Sequence, residues 1–406
     1  MPLVTDPTII KKKSLRDLPL QKKRVLVRVD YNVPLDSNGR VSDDTRIRAT
    51  LPTLEYLLRQ KAKVILISHM GRPKGQINPK YSLKPLVEPL KILTRTSVYF
   101  ADNCVGPMAF DAVAKIGEGE ILLLENLRFH QEEEKGNSVF AKELASLADF
   151  FVQDAFGTVH RAHASTTQVP SYLESAAGSL LEKELKFLSA LRANPPRPYT
   201  AILGGAKVSD KIGVVEAFLK KVDSLFIGGA MAYTFLKAKG FSIGDSLFEV
   251  ESLEFCETVL SQAKEQHVEV ILPLDHLIVQ DIEKPESAQL TNDASIPDGW
   301  KGVDIGPKTL NVLRPKLEES KTIFWNGPVG IFEVGAYSKG TMEIAGMAAS
   351  VAKKGTTVVV GGGDSVAAVE KAGVAQDMTF ISTGGGASLE FLEGKDLPGI
   401  AALPSI

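Results

Sequence analysis

Hydrophobic and polar positions along this chain come in alternating blocks. Short β-branched runs stop at a polar or glycine-rich tip, and an amphipathic stretch usually follows. In the first half the runs are 25–29, 64–67, 98–100, 121–124 and 150–152. In the second half they are 201–203, 225–227, 268–272, 322–325, 357–360 and 379–381. Short runs that are apolar throughout suit parallel strands covered on both faces. Amphipathic segments such as 50–58 and 182–191 supply the covering helices. The pattern predicts an α/β fold of doubly wound parallel sheets.

Near the middle, 182–192 reads as a helix that ends at Asn194-Pro195-Pro196-Arg197-Pro198. Proline cannot continue a helix interior and restricts the residue before it. At roughly 150 residues per domain, a chain of 406 residues should hold two or three domains. We expect an N-terminal domain over 1–183, an interdomain helix and hinge over 184–198, and a C-terminal domain over 199–392.

Composition narrows the function. Hydrophobic residues make up 44% and charged residues 24%, ordinary globular values that exclude disorder, collagen and mucin-like stalks. The formal net charge of −2 argues against broad capture of nucleic acid or an anionic membrane. Cys104 and Cys256 form no CxxC pair, so a reducing, cytoplasmic setting is expected rather than a disulfide scaffold or zinc site. Lys11, Lys12 and Lys13 precede no apolar segment of the secretory kind. The longest uncharged run, 224–236, has 13 residues, short of the ~18 that a membrane span needs.

Arginine is unevenly placed. Of 14 arginines only Arg314 lies beyond Arg197. Either composition drifts between two domains, or the halves bind different anions by different means, since Arg offers a rigid fork and Lys a mobile point charge. Ligands of open α/β sheets sit at the carboxyl ends of the strands, so the tips carry the chemistry. First-half tips offer Asp30, Asn32, His69, Arg72, Arg128, His160 and Arg161, with Arg46 close behind the first tip. A single Arg there reads most simply as a surface salt bridge. Several at successive tips point to an anionic partner, because buried unpaired charge is costly.

Second-half tips read LGGAKVSDK, IGGAM, WNGPVGIFE, VVGGGDS and STGGGAS. Glycine after a strand lets backbone N–H groups approach a phosphate, and a helix start adds positive dipole. Lys207 and Lys211 would share one face of a helix beginning near Gly205. Asp364, after Gly361, Gly362 and Gly363, suits Mg²⁺, which takes one or two carboxylates plus phosphate oxygens and water. One glycine pair is usually a tight turn, and one Asp after glycines usually an N-cap; several such tips together favour a nucleotide. No P-loop signature is present, nor an opening G-x-G-x-x-G, which weakens a dehydrogenase reading. His160 and His163 could share a helical face, yet no third metal ligand is placed with them.

In this order and spacing, RVDYNVP, SHMGRP, LLLENLRFH, DAFGTVHRAHAST, GGAKVSDK, WNGPVGIFE, GGGDS and STGGGASLEFLEGK resemble phosphoglycerate kinases over essentially the whole chain. The resemblance implies two Rossmann-like domains facing a central cleft, hinge-bending closure, and a tail over 393–406 that packs back on the N-terminal domain. It implies reversible phosphoryl transfer from 1,3-bisphosphoglycerate to Mg-ADP, giving 3-phosphoglycerate and ATP, in a cytoplasmic, monomeric enzyme. Its partners would be those small molecules, with no nucleic acid and no membrane. By resemblance, Asp30, Tyr31 and Asn32 hold the glycerate, while His69, Met70, Gly71, Arg72, Arg128 and Arg161 surround its phosphate. Arg46 and Lys207 reach the transferred phosphoryl. Lys211, Gly362 and Gly363 complete the catalytic set. Gly205, Gly228, Gly229, Gly302, Asn326, Glu333 and Ser365 contact the nucleotide, and Asp364 carries Mg²⁺. Tyr31 stands where the family usually has Phe, and Ser365 where Thr is common. A catalytically inactive scaffold of the same fold is the alternative.

Overall fold

The computed structural model describes residues 10–406; the opening 1–9 of the expected first domain lie outside the described residues. The chain forms two compact units. The first holds the described residues up to Ser189 together with Lys395–Ile406, and the second is Ala190–Gly394. The division falls within the helix Ser179–Arg192.

The first unit carries β1 (Arg24–Arg28), β2 (Lys63–Ile67), β3 (Val98–Ala101), β4 (Ile121–Leu124), β5 (Phe150–Gln153) and β6 (Glu174–Ala177). They form one parallel sheet of order β3-β4-β2-β1-β5-β6. Alternate residues feed two cores. Val25 and Val27 of β1 pack with Leu54 and Leu57 on one face, while Leu26 joins Ile65, Ile67 and Leu144 on the other. With both faces covered, the middle positions of β1, β2 and β4 are apolar, which is why these strands read as continuous runs.

The second unit carries β7 (Tyr199–Leu203), β8 (Ser224–Ile227), β9 (Glu269–Ile271), β10 (His276–Val279), β11 (Gln289–Leu290), β12 (Lys301–Ile305), β13 (Thr322–Asn326), β14 (Thr357–Gly361) and β15 (Phe380–Ile381). Its main sheet is again parallel, in order β15-β14-β13-β7-β8-β9. The strands β11-β10-β12 make a separate antiparallel sheet. The apolar runs did not predict these three or β6, whose sequence ESAA offers no run at all.

In each unit the first strand is central. β1 lies between β2 and β5, and β7 between β8 and β13. In the first unit β2, β3 and β4 lie to one side of β1 and β5 and β6 to the other. In the second, β8 and β9 lie to one side of β7 and β13, β14 and β15 to the other, so a crevice opens beside β1 and beside β7, at the strands' carboxyl ends. The helix expected over 50–58 runs Thr45–Arg59 and so takes Arg46 into its first turn. In the first unit, the tail helix Pro398–Ala401 is held by Gly399 N–H, which donates to the Val159 carbonyl at 2.8 Å. No helix among the described residues is long and apolar enough to cross a membrane.

Candidate functional site

The crevice of the first unit is built from the tips of β1, β2 and β4. Beyond β1, the Asp30 carboxylate takes the Arg46 guanidinium and accepts from Asn32 N–H at 3.2 Å. The Asn32 side chain accepts from Gly71 N–H at 2.9 Å, and Gly71 carbonyl accepts from Arg128 Nη1 at 2.8 Å. Gly71 has φ +61°, and a Cβ there would lie 2.3 Å from the Tyr81 ring, so the tight tip requires glycine. Asn126, after β4, accepts from Arg128 N–H at 3.0 Å and donates to the Met70 carbonyl at 2.8 Å. The polar tips are therefore knit into one frame.

This frame concentrates positive charge. Arg128 is only 3% exposed. Its Nε lies 3.4 Å from Glu134, and its Nη2 has no hydrogen-bond partner among the described residues. Burial, then the Arg161 charge, pushes Arg128 down to about 10. His69 is held well below the usual imidazole range by burial, then by Arg28, Arg128, Arg161 and Arg46 in turn. The ring is therefore neutral, and four guanidiniums bear on one buried spot. A buried cation with an orphan donor favours an incoming anion. Arg161 is half-buried at this spot, and Arg72 is exposed nearby in sequence. Met70 is buried. Tyr31, grouped with its neighbours from the sequence, belongs instead to the core: it is fully buried, and its hydroxyl lies 2.8 Å from Thr50 Oγ1.

In the second unit, a cavity of about 520 Å³ opens beside β7, lined by Gly205, Gly229, Tyr233, Gly302, Glu333 and Asp364 among others. Its glycines are set by close approach. A Cβ on Gly229 would lie 2.6 Å from Gly205 N, and one on Gly302 would lie 2.1 Å from the Tyr233 hydroxyl. Gly228 instead makes room for Val329, whose side chain would be 2.7 Å from its Cβ. Gly362, at φ +90°, precedes the helix Gly363–Lys371, which has no side-chain N-cap. The first N–H groups of that helix thus remain for a ligand. Asp364 is exposed on its first turn. Ser365 is buried, and its Oγ accepts from Gly327 N–H at 2.5 Å; it shapes the tip of β13 rather than facing the cavity.

Lys207 and Lys211 do not share a helical face, contrary to the sequence expectation. The α-helix starts at Ile212, after a 3₁₀ turn at Ser209–Lys211. Ser209 N–H and Oγ are both drawn to the Glu249 carboxylate, at 2.9 and 2.6 Å, which holds the segment out of the helix. Lys207 is exposed. Lys211 is turned inward onto Asn326, itself only 4% exposed.

A family model described as phosphoglycerate kinase matches residues 15–395. The chain belongs to the phosphoglycerate kinase family. It is 52% identical over 400 residues to a phosphoglycerate kinase of Koribacter versatilis, covering 97% of this chain and 99% of that one. It is 52% identical over 391 residues to a cytosolic phosphoglycerate kinase of Nicotiana tabacum, covering 96% and 97%. The solved phosphoglycerate kinase of Coxiella burnetii matches with a TM-score of 0.84 at 39% identity, over 96% of this chain and 98% of that one.

For a chain of the phosphoglycerate kinase family, the tips were the legible part of both crevices. What sequence reasoning missed lies behind them. Arg28 ends β1 inside the sheet, fully buried, with Ser165 and Glu133 equally buried beyond it. The available signal was an arginine closing an otherwise apolar strand, RVLVR. A charge in a strand covered on both faces needs a partner or a task.

Proposed function

We propose that this chain catalyses the phosphoglycerate kinase reaction, reversible transfer of the acyl phosphate of 1,3-bisphosphoglycerate to Mg-ADP, giving 3-phosphoglycerate and ATP. The observation that carries this reading is the presence of two unlike anion sites. One is the buried guanidinium cluster about neutral His69. The other is a glycine-lined cavity beside a helix start that lacks a side-chain cap.

The chemistry asks for little else. In the ATP-consuming direction the acceptor is a carboxylate, already ionised at pH 7, so no general base is required. What is needed is alignment of two anions and neutralisation of the charge between them. In this reading Asp30 and Asn32 orient the glycerate. His69, Arg72, Arg128 and Arg161 hold its phosphate, and Arg46 reaches the transferred group. Lys207 meets that group from the nucleotide side. Lys211 and the amides of Gly362 and Gly363 hold the nucleotide phosphates. Gly205, Gly229 and Gly302 leave room for the base and sugar, with Glu333 at the ribose. Asp364 is an exposed carboxylate at the cavity, which suits a magnesium ion arriving with the nucleotide as part of the substrate. The enzyme works as a cytoplasmic monomer, with hinge bending at 184–198 joining the two substrates.

The test is a coupled assay with purified protein, Mg-ATP and 3-phosphoglycerate, following NADH loss through glyceraldehyde-3-phosphate dehydrogenase. Turnover that vanishes with EDTA and in Arg46→Ala is expected. Folded protein that binds Mg-ATP without turnover would favour the inactive scaffold.

A further inference from the structure

Behind the first crevice runs a buried chain of contacts that the reaction itself does not require. Glu133, Ser165 and Arg28 are all fully buried. Glu133 accepts from Ser165 N–H at 2.9 Å and from Ser165 Oγ at 2.5 Å. With its hydroxyl hydrogen directed at Glu133, Ser165 Oγ accepts from Arg28 Nε at 2.9 Å. Arg28 Nη1 donates to the Val29 carbonyl. The last guanidinium nitrogen, Nη2, lies 3.2 Å from His69 Nδ1.

A guanidinium has donors and no acceptor. His69 Nδ1 must therefore accept, and the ring proton must sit on Nε2. The rival partner of the same nitrogen is the Asp30 carboxylate, which would favour a proton on Nδ1. It lies 3.9 Å away, outside hydrogen-bond reach, and is already engaged by Arg46 and by Asn32 N–H. The charged groups bearing on the ring are Arg28, Arg128, Arg161 and Arg46 on one side of the balance and Asp30 on the other. Burial, and then the cations, hold the ring neutral; Arg28 alone among them touches it and chooses the tautomer.

We propose that Arg28, braced by Ser165 and Glu133, is a positioning residue that fixes His69 as the Nε2–H tautomer, so that the imidazole meets the substrate as a neutral hydrogen-bond donor. The proposal rests on the reading of His69 as a substrate ligand. Arg28 itself stays behind the ring, with each of its nitrogens directed to a protein partner.

The test reads the tautomer directly. Long-range proton–nitrogen correlation spectra of the full chain, with the His69 signal assigned by its loss in His69→Gln, should show Nε2–H throughout pH 5–9. In Arg28→Met the nearest charged partner of Nδ1 becomes Asp30, so the proton should move to Nδ1 and the ring should titrate at higher pH. KM for 3-phosphoglycerate should rise roughly 10- to 100-fold, the range for one hydrogen bond to a charged group, with kcat changed far less. An Arg28→Met protein that keeps Nε2–H and the same KM overturns the proposal. A moved proton with KM unchanged in both Arg28→Met and His69→Gln would instead remove His69 from the substrate site while leaving the tautomer assignment intact. If Arg28→Met fails to fold, Ser165→Ala serves. It unties the brace, and should give exchanging tautomers and a smaller rise in KM. A fixed Nε2–H signal with unchanged KM in that variant counts against the proposal equally.

Discussion

The Lys211 ammonium donates to Asn326 twice, to its main-chain carbonyl at 3.1 Å and to its side-chain oxygen. Asn326 in turn donates Nδ2 to the Gly361 carbonyl at 2.9 Å. One cation thus ties together the ends of β13 and β14, where the second crevice opens. Burial pushes Lys211 down to about 8, against the Asp364 and Asp210 charges, which favour its protonated form.

Two opposite pH effects follow for Lys211. The unfolded chain holds this proton up to about 10.5, the folded chain only to about 8. Between those values the unfolded state binds more protons, so this group's contribution to stability rises with pH. The Tm advantage expected of Lys211→Met over the parent at pH 7 should therefore shrink by pH 9.5. Affinity for Mg-ADP should move the other way, weakening in the parent above pH 8 as the ammonium is lost, and staying flat in Lys211→Met. Parallel pH curves for the two proteins would refute the assignment.

A second buried group behaves in the reverse sense. Asp154 Oδ1 accepts from Leu180 and Leu181 N–H at 2.9 and 3.1 Å, while Oδ2 has no partner among the described residues. Burial outweighs the pull of the Thr53 side chain and of these bonds, and pushes the carboxyl up to about 7, from an ordinary 3.8. Its folded state binds the extra proton, so the stability it contributes is full below about pH 4 and is lost as pH rises through 7. Asp154→Asn keeps an acceptor and removes the titration. Its Tm relative to the parent should improve from pH 5 to pH 8; a constant difference would sink the argument. Gly178 packs on this carboxyl so closely that a Cβ would lie 2.2 Å from Oδ1, and Gly178→Ala should cost about 1–3 kcal/mol in urea unfolding.

The same two pairs show what a sequence discloses and what it hides. Strand runs and their tips were legible because a parallel sheet covered on both faces favours apolar residues along its strands, and polar character returns where the strand ends. Hence Asp30, His69, Gly205 and Gly362 could be placed without coordinates. The contacts of Arg28 with His69, of Asp154 with Leu180 and of Lys211 with Asn326 were not legible, because each joins residues distant in sequence. The helix shared by Lys207 and Lys211 failed for the same reason. Local spacing favoured it, and Glu249, far along the chain, holds Ser209 in another path.

Gly302 offers a clean test of the nucleotide cavity. Any side chain there must displace the Tyr233 hydroxyl, 2.1 Å from the Cβ position. Tyr233 is only 5% exposed and lines the cavity beside Gly302, so its ring has to yield toward the ligand. Gly302→Ala should raise KM for Mg-ADP roughly tenfold, as about 1–3 kcal/mol of overpacking would give. KM for 3-phosphoglycerate should not change. An equal rise in both would point to general destabilisation and away from a local block.

Hinge bending can be tested without a variant. An acyl phosphate must be kept from water while it is transferred, and closure around two substrates does this. Small-angle scattering with 3-phosphoglycerate and a non-hydrolysable Mg-ATP analogue should show a smaller radius of gyration than either ligand alone produces. An unchanged radius counts against closure.

Lys207 carries the sharpest kinetic prediction, because its setting differs from that of Lys211. Lys211 is anchored on Asn326 in the resting protein, so its loss should change Tm and nucleotide affinity together, in the opposite senses argued above. Lys207 is exposed and precedes the turn that Glu249 restrains. Removing it should leave Tm and nucleotide KM nearly as they were, and take away only a charge that matters when the phosphoryl group is between donor and acceptor. An interaction made chiefly in the transition state lowers kcat without a matching change in KM. Lys207→Ala should therefore lower kcat by roughly 10²–10³, the range for one preorganised donor, in steady-state assays at saturating substrates. A parental kcat would remove Lys207 from the mechanism, and leave Arg46 as the residue to examine for the same charge.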